Sequence, residues 1–231
     1  MLMQLTDFPL LVFDWDGTLM DSEARIVSCL QSSIADLQLP ERSVDEIRNI
    51  IGLGLHEAIN CLYPDSDKVM HEHFTARYRL HFLGARHAPS LLFPGVVQTL
   101  QTLQARGHLL AVATGKGRLG LNAVLTETGC MDWFHSTRCA DECSSKPHPQ
   151  MLLEIMDELG VAARDTLMIG DTEYDLNMAH NAGAASIAVT CGVHTRERLL
   201  QCKPLTCLDT VRALPAWLAG APRDAHTTHI A

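Results

Sequence analysis

Apolar residues alternate between two spacings along most of this chain. Short unbroken runs begin at Leu10 and recur at 109–113 (Leu-Leu-Ala-Val-Ala), 166–169 (Thr-Leu-Met-Ile) and 185–189 (Ala-Ser-Ile-Ala-Val). Runs of this length, flanked by turn formers, predict strands buried on both faces of a parallel sheet. Between them, residues 95–106, 117–128, 148–159 and 173–182 carry apolar positions at helical spacing. Gly107, Gly129, Gly160 and Gly183 each follow one of these segments as a C-terminal stop. Strand followed by helix, repeated, predicts the α/β class with a doubly wound parallel sheet.

One long interruption breaks the alternation. From Asp21 to Leu92 the pattern is helical around 22–37, 43–50, 54–62 and 67–84, with no convincing alternating strand. This predicts a small helical bundle inserted after the first strand, where it would cover that strand's carboxyl end. Pro89, Pro94 and Gly95 mark the return. The expected organisation is therefore a core of residues 1–20 and 93–222, a helical cap of 21–92, and a frayed polar tail of 223–231.

Composition narrows the function classes. The 231 residues suffice for a large core plus an insertion. With 18 Lys and Arg against 27 Asp and Glu, the formal charge is −9 and no basic run occurs, which argues against nucleic acid as a partner. No apolar stretch approaches the roughly 20 residues of a membrane span. Met1 to Pro9 lack the basic and apolar regions of a secretory signal, so a cytoplasmic setting is expected. There the eight cysteines are expected as reduced thiols, and Cys139 with Cys143, or Cys202 with Cys207, lack zinc-site spacing. His71 and His73 lie in a polar helical stretch and are expected to face solvent.

The candidate chemistry sits at the ends of the predicted strands. Asp14 and Asp16 close the first apolar run, followed by Gly17 and Thr18. Two carboxylates so close repel unless a cation or shared proton stabilises them, and a hard divalent cation suits oxygen ligands. After 109–113 comes Thr114-Gly115-Lys116, a hydroxyl and an unhindered N–H at a helix start, suited to a phosphate oxygen. Ser144 to Pro149 places Lys146 just before Pro147 and Pro149 at another helix start, a fixed cation able to neutralise a phosphate and a nucleophilic carboxylate. Asp171 ends the third run as Asp14 ends the first, and Asp175 lies four residues on, nearly on the same helix face. Each element alone has an ordinary explanation as a cap or a surface residue. Their common position is what points to one site.

Asp14-x-Asp16-Gly17-Thr18, Thr114, Lys146-Pro147 and Gly170-Asp171-x-x-x-Asp175, in this order, resemble the four motifs of the haloacid dehalogenase superfamily. The early insertion resembles that superfamily's type 1 cap, and phosphoglycolate phosphatase-like enzymes are the nearest resemblance. The resemblance implies a Rossmann-like core and a phosphatase acting on a small phosphorylated metabolite, as a monomer or homodimer. It implies Asp14 as nucleophile, Asp16 as general acid and base, and Lys146 orienting Asp14 and stabilising charge. Thr114 and the Gly115 N–H would hold the phosphoryl oxygens. Mg²⁺ would be held by Asp14, the Asp16 carbonyl and Asp171, with Asp175 acting from behind these ligands.

Alternatives within that resemblance separate on single residues. Dehalogenases lack an aspartate at position 16 and phosphonatases typically have alanine there. The lone lysine of 21–92, Lys68, is a poor candidate for a Schiff base. Mutases of the β-phosphoglucomutase type usually carry Glu-Asp where this chain has Gly170-Asp171. A phosphomutase, or a catalytically silent protein that binds phosphorylated metabolites, remains the alternative. Trp15 and Gly115 depart from the common pattern, where a smaller apolar residue and often asparagine stand. Gly52-Leu53-Gly54 could approach substrate by its backbone. Arg48, His56, Arg77, Arg79 and Lys116 are candidate contacts for a second anionic group.

Overall fold

The computed structural model describes residues 8–84 and 90–220; Pro89 and the tail 223–231 lie outside the described residues. Six parallel strands form the main sheet: β1 (Leu10–Phe13), β4 (Leu109–Thr114), β5 (Ser136–Cys139), β6 (Thr166–Gly170), β7 (Ala185–Val189) and β8 (Cys207–Leu208). Their order is β5-β4-β1-β6-β7-β8, so β1 lies between β4 and β6. The remaining strands, β2 (Met20–Asp21) and β3 (Leu91–Leu92), pair antiparallel with each other.

Side-chain alternation builds the two outer layers. Leu11 and Phe13 of β1, with Leu110 and Val112 of β4, face α5 (Val96–Ala105), α6 (Arg118–Thr128) and α10 (Leu214–Gly220). Leu10, Val12, Ala111 and Ala113 point the other way, against α7 (Gln150–Leu159) and α8 (Glu173–Asn181). Both faces are therefore buried, which is why these strands read as unbroken apolar runs. A ninth helix, α9 (Arg196–Gln201), packs near β8.

The interruption is four helices: α1 (Glu23–Asp36), α2 (Val44–Asn49), α3 (Leu55–Leu62) and α4 (Lys68–Leu83). They enclose an apolar cluster of their own that includes Ile26, Leu30, Ile47, Ile59, Phe74 and Phe82. Ser43 and Glu46 start α2 with a reciprocal capping box. Among the described residues no helix is long and apolar enough to cross a membrane.

The structure departs from the sequence reading in several places, among them the short strand β8, which no apolar run announces. Strand β5 escaped because Ser-Thr-Arg-Cys is an edge strand whose central residues are only partly buried. The pair β2 and β3 is too short to show alternation. Helices α9 and α10 are short and were not expected. His71 is buried rather than solvent-facing: it lies on the inner face of α4 with Phe74 and Phe82, bonds Ser66 Oγ at 2.8 Å and stacks on His56. His73 is exposed as expected.

Candidate active site

Adjacent strands deliver the predicted residues to one end of the sheet. Asp14 follows β1, Thr114 ends β4 and Asp171 follows β6, the two neighbours of β1. A hydrogen bond from Asp14 N–H to the Ile169 carbonyl extends that ladder by one residue. The chain then turns tightly, with the Leu19 and Met20 N–H groups both bonded to the Trp15 carbonyl. Trp15 fills the main core, its indole N–H on Met20 Sδ and its ring edge-on to Phe134.

Lys146 lies at the centre. Its Nζ is 2.7 Å from Asp14 Oδ1 and 2.6 Å from Asp175 Oδ1, and all three side chains are shut away from solvent. Burial opposes the ammonium charge, but Asp14 and Asp175 outweigh it and hold the Lys146 pKa above the ordinary lysine value. The other Asp175 oxygen accepts from the Thr172 N–H and hydroxyl. Asp175 thus ties Lys146 to the start of α8.

Asp171 is gripped by Thr18 Oγ1 at 2.9 Å and the Val193 N–H at 2.9 Å. Burial, and then the Asp175 charge, push its pKa up to about 7 despite these donors. Burial also raises the Asp14 carboxyl well above the usual range; Lys146 offsets part of this, while Asp175 and Asp171 add to it. Oxygens of Asp14, Asp171 and Asp175 approach within 4.8 Å of one another. Asp14 Oδ2 is buried and has no hydrogen-bond donor among the described residues. An orphaned carboxylate oxygen in a cluster of three acids suits a divalent cation with oxygen ligands.

Backbone without side chains makes this closeness possible. A Cβ at Gly17, Gly170 or Gly192 would lie 2.3, 2.3 or 2.0 Å from an atom of Asp171 or Asp175. Gly17 also has φ +80°, a conformation that favours glycine.

Asp16 occupies a different environment from Asp14. Its Oδ1 is 2.7 Å from Lys116 Nζ and also accepts from Ser22 Oγ. Lys116 is buried, with its ammonium over the Phe82 ring. Sequence reasoning placed Lys116 only among possible contacts to a second anion, and it missed Ser22, although the Thr-Gly-Lys triplet was in view. Thr114 is buried and accepts from the Lys116 N–H. Gly115 meets the helical unit: a Cβ there would lie 2.5 Å from the Leu53 carbonyl oxygen and 2.6 Å from that of Gly52. Ser145, beside Lys146, accepts from the Gly54 N–H at 2.7 Å. The 52–54 loop therefore docks on the site by its backbone. Of the other candidate anion contacts, Arg48 pairs with Glu23, and Arg77 lies 4.0 Å from Asp36; His56 and Arg79 line the cleft between the two units.

The chain is similar to several known proteins. Residues 11–189 match the model of the haloacid dehalogenase-like hydrolases. A probable phosphatase, IndB, from Dickeya dadantii is 40% identical over 87% of this chain and 90% of its own length. A phosphoglycolate phosphatase from Agrobacterium fabrum is 30% identical over 89% of this chain and 90% of its own. The crystal structure of a hydrolase from Pseudomonas syringae has the same fold, with a TM-score of 0.84 at 21% identity over 91% of this chain and 97% of its own. The chain belongs to the haloacid dehalogenase-like hydrolase family and is an enzyme of the phosphoric monoester hydrolase class.

Proposed function

We propose that this chain is a Mg²⁺-dependent phosphatase that hydrolyses a small phosphate monoester through an aspartyl-phosphate on Asp14. The carrying observation is the pairing of Asp14 with Lys146, which leaves the second Asp14 oxygen without a donor. Asp14, the Asp16 carbonyl and Asp171 would hold Mg²⁺, which supplies charge neutralisation for an anionic nucleophile meeting an anionic phosphate.

The chain's own residues do the rest. Lys146 holds Asp14 in place and offers positive charge beside it, fixed in turn by Asp175. Thr114 and the Gly115 N–H hold the phosphoryl oxygens at the end of β4. Asp14 attacks phosphorus while the bond to the leaving oxygen breaks, and Asp16 donates the proton that oxygen needs. Water then attacks the aspartyl-phosphate, Asp16 takes its proton back, and phosphate leaves with Asp14 regenerated. Lys116 and Ser22 keep the Asp16 side chain at its post between turns of the cycle. The helical unit of residues 21–92 serves as the cap that excludes bulk water.

A mutase fits less well. Where the β-phosphoglucomutase type usually carries glutamate, any side chain at Gly170 would collide with Asp175, since a Cβ there lies 2.3 Å from the Asp175 Cβ. The test is phosphate release from a panel of phosphate monoesters with and without Mg²⁺, with Asp14→Asn as blank. Turnover abolished by chelator and by the substitution is expected. Turnover that ignores both, or none with any ester, overturns the reading.

A further inference from the structure

We infer that the alcohol portion of the substrate is an uncharged, largely apolar ring rather than a small carboxylate-bearing group such as glycolate. This rests on the phosphatase reading and deepens it. A cavity of about 260 Å³ opens from Asp14 and Asp16 into the cleft between the helical unit and the sheet. A dry cavity of about 150 Å³ lined by aliphatic and aromatic side chains already takes benzene, so this one has room for a phosphoryl group and a ring together.

Its walls are apolar on both sides. Leu30, Ile50, Leu53 and Phe82 line it from the helical unit, and Leu119 faces it from α6. Tyr78 stacks on Phe82 with ring centroids 5.7 Å apart, and both line the cavity, adding aromatic surface to its apolar wall. Leu83 and Leu119 remain 52% and 64% exposed, large apolar side chains at the mouth that a substrate would cover.

The charges around the cavity are already matched. Among the described residues lining it, the permanent cations are Lys116 and Arg79. Lys116 is 2.7 Å from Asp16, and Arg79 lies 3.9 Å from Asp141. His56, at the rim, is bonded to Asn60. Glu57 adds a further acid. A second carboxylate on the substrate would enter beside Asp16, Glu57 and Asp141, and burying it without a partner is costly. On the side of Gly115 that faces the helical unit, the Gly52 and Leu53 carbonyls leave no room for a side chain, so this position supplies no cation or donor group for a second anion. An apolar ring meets none of these penalties and gains by leaving water.

The test compares 1-naphthyl phosphate with 2-phosphoglycolate in the wild-type protein with Mg²⁺, by kcat/KM, and by affinity for Asp14→Asn using calorimetry. The naphthyl ester is expected to be favoured about tenfold or more in both, the order that burying one ring provides. Leu119→Arg, at a site too exposed to endanger folding, is expected to lower that ratio about tenfold or more by putting an unpaired cation at the mouth. Equal treatment of the two esters, or preference for phosphoglycolate, overturns the inference and leaves the phosphatase reading standing. If neither ester turns over but Asp14→Asn still binds the naphthyl ester more tightly, the pocket assignment holds and the full panel of esters decides the phosphatase reading. Binding with no preference and no turnover overturns the inference.

Discussion

Lys146 shows how much of the site's electrostatics hangs on single groups, since it is the one cation in direct contact with Asp14 and Asp175 among the described residues. Lys146→Met would leave two buried carboxylates facing each other, and breaking a buried pair in this way costs about 3–5 kcal/mol. A lower denaturant midpoint, together with lost turnover, is expected, and Mg²⁺ should restore part of the stability but none of the activity. Asp171 makes a second prediction. Its pKa of about 7 against an ordinary 3.8 means the folded, metal-free protein holds a proton that the unfolded chain has released. That contribution to stability is present at low pH and is lost as pH rises toward 7. Mg²⁺ requires the ionised form, so the rise in melting temperature on adding Mg²⁺ should be small at pH 5 and larger at pH 8. Asp14, Asp16, Thr114, Lys146 and Asp171 could be read from sequence because each ends or follows a recognisable strand or begins a helix. Ser22 and the pairing of Lys116 with Asp16 could not, since nothing local says that a lysine 100 residues away folds onto that carboxylate.

At the scale of elements, the 52–54 loop between α2 and α3 makes the helical unit's backbone contact with the site. It docks by backbone on Gly115 and Ser145, while Tyr174 donates to the Asn49 carbonyl and Arg198 to the Asn49 side chain at the end of α2. Gly115→Asn would put its Cβ 2.5 Å from the Leu53 oxygen, so the loop must withdraw. The expected result is a protein of nearly unchanged melting temperature with kcat/KM lowered about tenfold, the order of a single lost positioning contact; unchanged kinetics would show that the loop has no part in closing the site. The helices of this unit were legible from their spacing, and their docking was not. Spacing reports which face of a helix is apolar, but Gly54 meets Ser145 through a backbone N–H that carries no residue-specific signal. Strand β5 was invisible for a related reason, because an edge strand needs fewer apolar side chains than a central one.

At the scale of the whole molecule, two histidines buried in neutral form, His108 and His194, add to the sensitivity of stability to acid. Burial lowers the pKa of His108, which bonds the Phe8 carbonyl at 2.8 Å, and of His194, whose Nδ1 accepts from the Glu173 N–H. Each binds its proton less readily when folded than when unfolded. Their contribution is present above the ordinary value of 6.5 and is lost as pH falls below it. The urea midpoint measured with and without His108→Phe should therefore differ in its pH dependence between 7.5 and 5, the variant losing less on acidification. Strand order was beyond the sequence, because any of several parallel arrangements satisfies the same apolar runs. The cavity between the two units was equally hidden: its walls come from helices that each look, taken alone, like ordinary core-facing elements.

The chain leaves the sheet at Met20–Asp21 and returns at Leu91–Leu92, and these two short strands are paired side by side, Met20 with Leu92 and Asp21 with Leu91. They form the covalent neck of the four-helix unit, which also touches the sheet unit across the cleft through Ser22, Gly54 and Arg79. Because β1, β4 and β6 pair only with strands of the main sheet, the insert can change away from its contact residues without breaking those ladders. The acids at the end of the sheet and the helices packed over them thus come from separate stretches of one chain. Substitutions in the insert away from Ser22, Phe82 and the 52–54 loop are expected to leave Asp14, Asp171 and Asp175 where they are.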